Sequence, residues 1–125
     1  MATTREQGEY TENLACRFLE KKGFNLIEKN FNCKVGEIDL IMQDNGTLVF
    51  VEVRYRKNND FGSGAESITA SKQSKLIKTA SLYLQRHGKL NQYPARFDVV
   101  SITGFIETDD LNKINFDWIE NAFGA

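Results

Sequence analysis

The chain has 125 residues, a formal net charge of −1 and ordinary apolar and charged fractions, which suit one globular domain with its own core. Cys16 and Cys33 have no metal-ligand spacing and the chain has one histidine, so the pattern disfavours a zinc site. The N-terminus lacks the apolar segment of a signal peptide, and no apolar run is long enough to cross a bilayer. We therefore expect a single domain over residues 1–125, in the cytoplasm and without a membrane partner.

Helical periodicity predicts a first helix over about residues 5–22. Its apolar positions recur at helical spacing and form one stripe, made of Leu14, Ala15, Phe18 and Leu19. Gly23 is a favourable residue for ending this helix, and Glu12 borders the stripe. A strand over about residues 24–29 follows, and residues 30–35 are predicted to connect it to the next strand.

A β-hairpin is the clearest local prediction. Two apolar runs flank Asn-Gly at residues 45–46, and this dipeptide favours a two-residue type I′ turn because both turn positions need positive φ. The register set by that turn places Asp39 opposite Glu52. It also places Glu37 opposite Arg54, so a cross-strand ion pair and a functional role are both open for these two residues.

The second half of the chain is predicted to add a helix and further strands. Ser71 is placed to cap a helix over residues 72–87, and residues 96–103 alternate as a strand. Near the C-terminus, a short strand precedes a terminal helical turn indicated by the spacing of Trp118, Ile119, Ala122 and Phe123. The order α-β-β-β-α-β with a small appendix predicts an α/β fold, in which one mixed sheet carries helices on its faces.

Positive charge is concentrated in the middle of the chain. Residues 54–96 carry a net charge of about +7, and the rest of the chain carries about −8. A one-sided basic surface is typical of proteins that bind nucleic acid, whereas a solvated lysine-rich helix face is the ordinary alternative. Charge alone leaves both interpretations open.

Two carboxylates that face each other across a hairpin repel, so Asp39 and Glu52 need compensation. One interpretation is a bound hard cation, Mg²⁺ or Mn²⁺, because such ions take carboxylate oxygens together with waters and substrate phosphates. The other is a network of ion pairs with Lys72 or Arg96. A metal beside phosphate-binding cations would suit phosphodiester hydrolysis.

Several segments resemble the bacterial YraN family, namely Gly36–Ile41 (GEIDLI), Phe50–Arg54 (FVEVR) and Arg96–Val100 (RFDVV). The first helix with Gly8, and Lys72 at the start of the second helix, fit as well. That family is similar to PD-(D/E)XK nucleases of the restriction-endonuclease-like fold, and most closely to Holliday-junction resolvases. The resemblance implies an αβββαβ core and a metal-dependent nuclease site with a helix Glu, a strand Asp and a Glu-x-Lys strand. Glu12, Asp39 and Glu52 correspond to the three acidic positions.

Arg54 departs from this pattern, because the resembling nucleases carry a lysine there. Arginine supplies positive charge and bidentate hydrogen bonds, but it stays protonated and cannot act as a base. Lys72 is the expected replacement, since its helix is predicted to pack against the same sheet.

The leading hypothesis is therefore a Mg²⁺- or Mn²⁺-dependent nuclease that acts on DNA, including branched or flapped DNA. The residues assigned to catalysis are Glu12, Asp39, Glu52, Arg54 and Lys72. The expected metal ligands are the side chains of Asp39 and Glu52 and the carbonyl of Val53. The residues assigned to phosphate binding are Arg56, Lys57, Lys75 and Lys78. A junction-resolving enzyme would need two sites, hence a homodimer.

The second hypothesis is a non-catalytic protein that binds nucleic acid or acts as a scaffold while retaining the nuclease fold. It rests on Arg54 and on the near-neutral net charge. The two hypotheses differ in their response to metal, because the second predicts that metal leaves thermal stability unchanged.

Overall fold

The computed structural model describes residues 4–56, 68–88, 93–104, 106–108 and 110–124. Its regular elements are α1 (Thr4–Lys21), β1 (Asn25–Asn32), β2 (Glu37–Asp44), β3 (Thr47–Arg56), α2 (Ala70–Arg86), β4 (Ala95–Thr103) and β5 (Asn115–Phe123). A 3₁₀ turn, Leu111–Lys113, precedes β5. No helix in these ranges is long and apolar enough to cross a membrane. Lys57, which the sequence assigns to phosphate binding, lies outside the described residues.

The five strands form one mixed sheet in the order β1-β2-β3-β4-β5. Strand β2 is antiparallel to both β1 and β3, β4 is parallel to β3, and β5 returns antiparallel to β4. Helix α2 provides the crossover that the parallel pair requires. The predicted α/β class is confirmed, and the arrangement is consistent with a restriction-endonuclease-like core that carries β5 at its edge.

The two helices cover opposite faces of the sheet. Val49 and Val51 of β3 pack in the cluster beneath α1, whereas Leu48 and Phe50 pack in the cluster beneath α2. Strand β3 is therefore buried on both faces, as its near-continuous apolar sequence predicts. A charged side chain on this strand, such as Glu52, therefore needs a partner, because both faces of the strand are covered.

The hairpin between β2 and β3 has the predicted turn and register. Asn45 and Gly46 have φ of 48° and 86°, as the type I′ turn requires. Pairing runs from the residues that flank this turn to Leu40 opposite Val51, which is the last pair of the ladder. The next rung in this register is Asp39 with Glu52.

The predicted C-terminal helical turn is wrong, because these residues form strand β5. Val99 pairs with Ile119 but Phe97 pairs with Phe123, so β5 carries two extra residues in a bulge. Asn121 sits in that bulge with φ of 50°. The bulge moves side chains from one face to the other and produces a spacing that resembles a helix.

The second helix also begins earlier than predicted. Thr69, not Ser71, is its N-cap, and the Thr69 hydroxyl accepts the Lys72 N–H at 3.1 Å. Ser71 lies inside the first turn. An N-cap side chain accepts from the second or third helical N–H, and this geometry selects Thr69.

Strand β1 extends to Asn32, which the sequence predicts to lie in the connection to the next strand.

Candidate active site at the open end of the hairpin

Strands β2 and β3 separate beyond Leu40 and Val51. Alternate pairs of an antiparallel ladder are hydrogen-bonded, and counting from the turn makes Ile38 and Val53 the next such pair. That pair does not form. The Val53 N–H instead donates to Asp39 Oδ2 at 2.8 Å, so the Asp39 carboxylate takes the place of a backbone carbonyl.

The carbonyl of Val53 is directed into the resulting gap. In a hydrogen-bonded strand position, the N–H and C=O of one residue point toward the same neighbouring strand. Since the Val53 N–H meets Asp39, the Val53 carbonyl also faces β2, on the side away from β4. By this geometry Asp39, Glu52 and the Val53 carbonyl lie together at one end of the hairpin.

Two cations contact Glu52 at the same oxygen. Lys72 Nζ lies 2.9 Å from Glu52 Oε1, and Arg54 Nη1 lies 3.9 Å from it. Glu52 is 8% exposed, whereas the side chain of Lys72 is 41% exposed and reaches in from the first turn of α2. The structure thus joins all three residues, and the Lys72 part of the predicted ion-pair network is present.

Two of the alternative ion pairs predicted from the sequence are absent from the described residues. Arg96 lies on the α1 side of the sheet, where it contacts Asp98 at 3.0 Å instead of joining Asp39 and Glu52. Glu37 makes no ion pair with Arg54 within these ranges, because β2 has already left β3 at that rung. The predicted register is confirmed from Asp44–Thr47 to Leu40–Val51, and the ladder does not extend to the rung of Glu37 and Arg54.

Burial and the charges of Glu52, Glu12 and Glu37 all raise the pKa of the Asp39 carboxyl. Burial is the largest cause that raises the pKa of Asp39 to about 8, and the charge of Glu52 raises it further, while the hydrogen bond from Val53 lowers it. Burial likewise raises the pKa of Glu12, which lies on α1 within hydrogen-bonding reach of Asn30 and Asp39. The site favours a bound proton or a cation in its place.

The donor set fits a magnesium-like ion whose remaining coordination positions are taken by water and substrate oxygens. No group of three or more His, Cys, Asp or Glu side chains in the described ranges is close enough to form a metal cage. A set of two carboxylates and one backbone carbonyl agrees with how Mg²⁺ is commonly bound, since it keeps several waters and takes substrate phosphate oxygens. The excess of carboxylates around Asp39 supplies the electrostatic reason for a cation.

A cleft between β2 and α2 leads to these groups. Its lining includes Asp39, Glu52, Lys72 and Lys75, so acidic and basic groups face each other across it. Lys75 is exposed, as is Lys78 one turn along the same helix. Arg56 lies at the end of β3, where its carbonyl accepts the Gly104 N–H at 2.9 Å. Lys75 thus borders the cleft, and Lys78 and Arg56 lie farther from the carboxylates along their elements.

Sequence reasoning missed the residues that hold this cleft in shape. A Cβ added at Gly36 would lie 3.2 Å from Thr79 Oγ1, so the turn before β2 packs closely against α2. The Thr79 hydroxyl is itself fixed by donating to the Lys75 carbonyl at 2.7 Å. The available signal for this close approach is that a glycine, the first residue of GEIDLI, directly precedes strand β2. Asn30 of β1 was also missed.

The sheet, its two covering helices and the convergent acidic and basic groups define an α/β protein consistent with the restriction-endonuclease-like class. The chain belongs to the Uncharacterised protein family UPF0102, whose family model matches residues 11–102. It is 48% identical over 122 residues to a UPF0102 protein of Nitrosococcus oceani, covering 98% of this chain and 94% of the relative. It is 46% identical over 123 residues to a UPF0102 protein of Stutzerimonas stutzeri, covering 98% of both chains. The resemblance noted above under the name YraN is thereby confirmed.

Proposed function

We propose that this protein is a metal-dependent nuclease that hydrolyses phosphodiester bonds of DNA. The observation that carries the proposal is that Asp39, Glu52 and Lys72 line one cleft, where Lys72 contacts Glu52 and the Val53 N–H donates to Asp39. Arg54 also contacts Glu52. Oxygen ligands for a hard cation and positive groups for a phosphate are thus present in one cleft. Phosphoryl chemistry needs that combination of charges.

Asp39 and Glu52 would hold Mg²⁺ or Mn²⁺ together with the Val53 carbonyl. When bound, the ion would supply positive charge to the scissile phosphate and lower the pKa of a water. The hydrogen bond from Val53 fixes Asp39 Oδ2, and the other Asp39 oxygen would be the ligand to the ion. Glu12 approaches Asp39 from α1 and would accept a proton from a water near the phosphate.

Lys72 and Arg54 are the groups suited to negative charge that develops on the phosphate. Both contact Glu52 Oε1, so a change of side-chain rotamer would let them contact a phosphate oxygen in the cleft instead. Lys72 takes the role that the resembling nucleases assign to the lysine replaced here by Arg54. Its ammonium is a point charge on a flexible stem, which can follow a moving phosphate.

DNA would enter over the second helix. Lys75 borders the cleft and Lys78 continues the exposed basic row, while the acidic residues face inward. Arg56 at the end of β3 and Lys57, which follows it in the sequence, continue the positive charge along the chain. Contacts of this kind are made to phosphates and would position DNA without reading its sequence. Branched or flapped DNA is the proposed substrate form, and two such sites in a homodimer would suit a junction.

Cleavage of labelled DNA tests the proposal directly. Four-way junction, flap, single-stranded and duplex substrates are incubated with Mg²⁺, Mn²⁺ or chelator, using wild type, Asp39→Asn and the matched control Asp117→Asn. Asp117 is exposed on β5, away from the cleft. We expect metal-dependent cleavage that Asp39→Asn reduces at least about hundredfold, as the loss of a metal-holding group does, and that Asp117→Asn preserves. Metal-independent cleavage, or equal cleavage by all three proteins, would contradict the proposal.

A second candidate function is nucleic-acid binding without cleavage. The observation that favours it is that Arg54 stands where the resembling nucleases have lysine, while Lys72 already neutralises Glu52. In this case Mn²⁺ would leave thermal stability unchanged, and DNA binding would weaken steeply with salt. A rise in melting temperature with Mn²⁺ that Glu52→Gln abolishes would favour the nuclease instead.

A further inference from the structure

Asn30 lies opposite Asp39 in an unusual backbone conformation. Lys29 pairs with Leu40 and Phe31 pairs with Ile38, so the rung between them joins Asn30 and Asp39. Asn30 has φ of 54°, a left-handed value within a strand. Such values are uncommon outside glycine, and asparagine tolerates them better than most residues. A backbone outlier directly across from a candidate catalytic residue suggests a functional constraint.

Both strands change face at this rung. Leu40 packs in the cluster beneath α1, and its partner Lys29 hydrogen-bonds Asn13 of α1. Strand alternation places Ile38 and Phe31, two residues away, on that same face. Both instead pack in the cluster beneath α2. The ends of β1 and β2 are therefore rotated together about the rung of Asn30 and Asp39.

This rotation accounts for the geometry of the candidate active site. Without it, Asp39 would follow the alternation of β2, and Ile38 would take the Val53 N–H. With it, Asp39 turns toward β3 and accepts that N–H at 2.8 Å. The Asn30 side chain is also within hydrogen-bonding reach of Glu12, while the Asn32 amide donates to the Asn30 carbonyl at 2.9 Å.

We propose that Asn30 is a positioning residue whose left-handed backbone rotates the ends of β1 and β2, so that Asp39 leaves the ladder and meets Val53. Asn30 also lines one pocket together with Glu12. The geometric part stands without the proposed function, and only its catalytic consequence rests on the nuclease activity. The competing explanation is that the irregularity merely protects the exposed edge strand β1 from pairing with another chain.

Amide hydrogen exchange in the metal-free, full-length protein separates these explanations. Asn30→Gly keeps the left-handed backbone without strain, whereas Asn30→Val opposes it because a β-branched residue disfavours positive φ. Asn121→Val is the matched control, since Asn121 is a left-handed asparagine at the opposite edge of the sheet. The readout is the protection of the Val53 amide relative to the Val51 amide, which belongs to the last regular rung.

We expect Asn30→Val to lower the Val53 to Val51 protection ratio about tenfold, as the loss of one hydrogen bond to a carboxylate would. Asn30→Gly and Asn121→Val should leave the ratio within about twofold of wild type. In Asn30→Gly the carboxyl ¹³C shift of Glu12 should still move, because the side-chain partner is gone. If Asn30→Val does not fold, Asn30→Ala imposes the same preference at a smaller cost and gives the same comparison.

An unchanged ratio in Asn30→Val would overturn the proposal, and so would an equal fall in Asn30→Gly or Asn121→Val. Parallel cleavage assays keep this result separate from the proposed function. A changed ratio in a protein that cleaves no DNA would retain the role of Asn30 and reject the nuclease. Metal-dependent cleavage together with an unchanged protection ratio would retain the nuclease and reject the role of Asn30.

Discussion

Replacing Asp39 by asparagine should remove most of the pH dependence of folding stability of the metal-free protein between pH 5 and 8. Asp39 is 8% exposed and lies beside Glu52 and Glu12, and its pKa rises from 3.8 to about 8 through burial first and then the charge of Glu52. Asparagine has nearly the same shape and keeps an oxygen that can accept the Val53 N–H. It carries no charge at any of these pH values.

The sign follows from comparing the folded and unfolded states. The unfolded chain loses the Asp39 proton near pH 4, whereas the folded chain keeps it to about pH 8. The stabilisation is therefore fully present below pH 4 and is lost as pH rises toward 8, with a slope of at most about 1.4 kcal/mol per pH unit. Over the whole interval the loss amounts to roughly 5 kcal/mol. This is a large fraction of the stability of a small domain.

Urea unfolding, followed by the fluorescence of the single tryptophan, Trp118, measures this directly. Wild type, Asp39→Asn and the control Asp117→Asn are unfolded in chelator at half-unit steps from pH 5 to 8.5. Wild type and the control should lose stability together, whereas Asp39→Asn should keep only the smaller slope contributed by Glu12, whose pKa is also raised. A wild-type stability that is flat or rises over this range, or an equal slope in Asp39→Asn, would refute the reasoning.

Three further predictions concern metal, charge and packing at the cleft. Mn²⁺ at one hundred times its dissociation constant should stabilise wild type at pH 7.5 by about 2.7 kcal/mol in thermal unfolding, and Glu52→Gln should abolish that gain. Lys72→Met should tighten Mn²⁺ binding about tenfold in calorimetric titration, because a cation that competes for Glu52 is removed; unchanged or weaker binding, or an equal effect of Lys75→Met, would oppose this. Gly36→Ala should cost about 1 kcal/mol or more in urea unfolding, and a background of Thr79→Ala should reduce that cost because it removes the 3.2 Å contact; an equal cost in both backgrounds would contradict this.

The hairpin and the layer order were predictable because they depend on local and periodic signals. Asn45-Gly46 sets the turn, the turn sets the register, and the register places Asp39 beside Glu52. The basic segment and the helix start likewise placed Lys72 near the carboxylates. Each of these inferences needs only strand alternation, helix periodicity and residue chemistry.

The parts that could not be predicted all involve irregular backbone. Asn121 allows the bulge of β5, whose displaced side chains imitate helical spacing and led to the wrong C-terminal prediction. Asn30 allows the rotation of β1 and β2. The sequence around Asn30 contains no pattern that predicts a left-handed backbone within a strand. Thr69 is the helix cap because its backbone is extended and its hydroxyl accepts the Lys72 N–H, whereas Ser71 already lies inside the helix. These features are selected by tertiary packing.

The same irregularity changes the physical meaning of the acidic pair. A regular hairpin would oppose Asp39 and Glu52 as like charges on a closed ladder, where each carboxylate could gain only a distant counterion. Since the ladder ends one rung earlier, Asp39 gains the Val53 N–H and the Val53 carbonyl loses its place in the sheet. The opened strands thus convert a cross-strand repulsion into a gap bordered by oxygen atoms. The Lys72 ammonium neutralises part of the negative charge beside that gap, since it contacts Glu52 Oε1. A divalent ion and this ammonium should therefore compete for the same carboxylate.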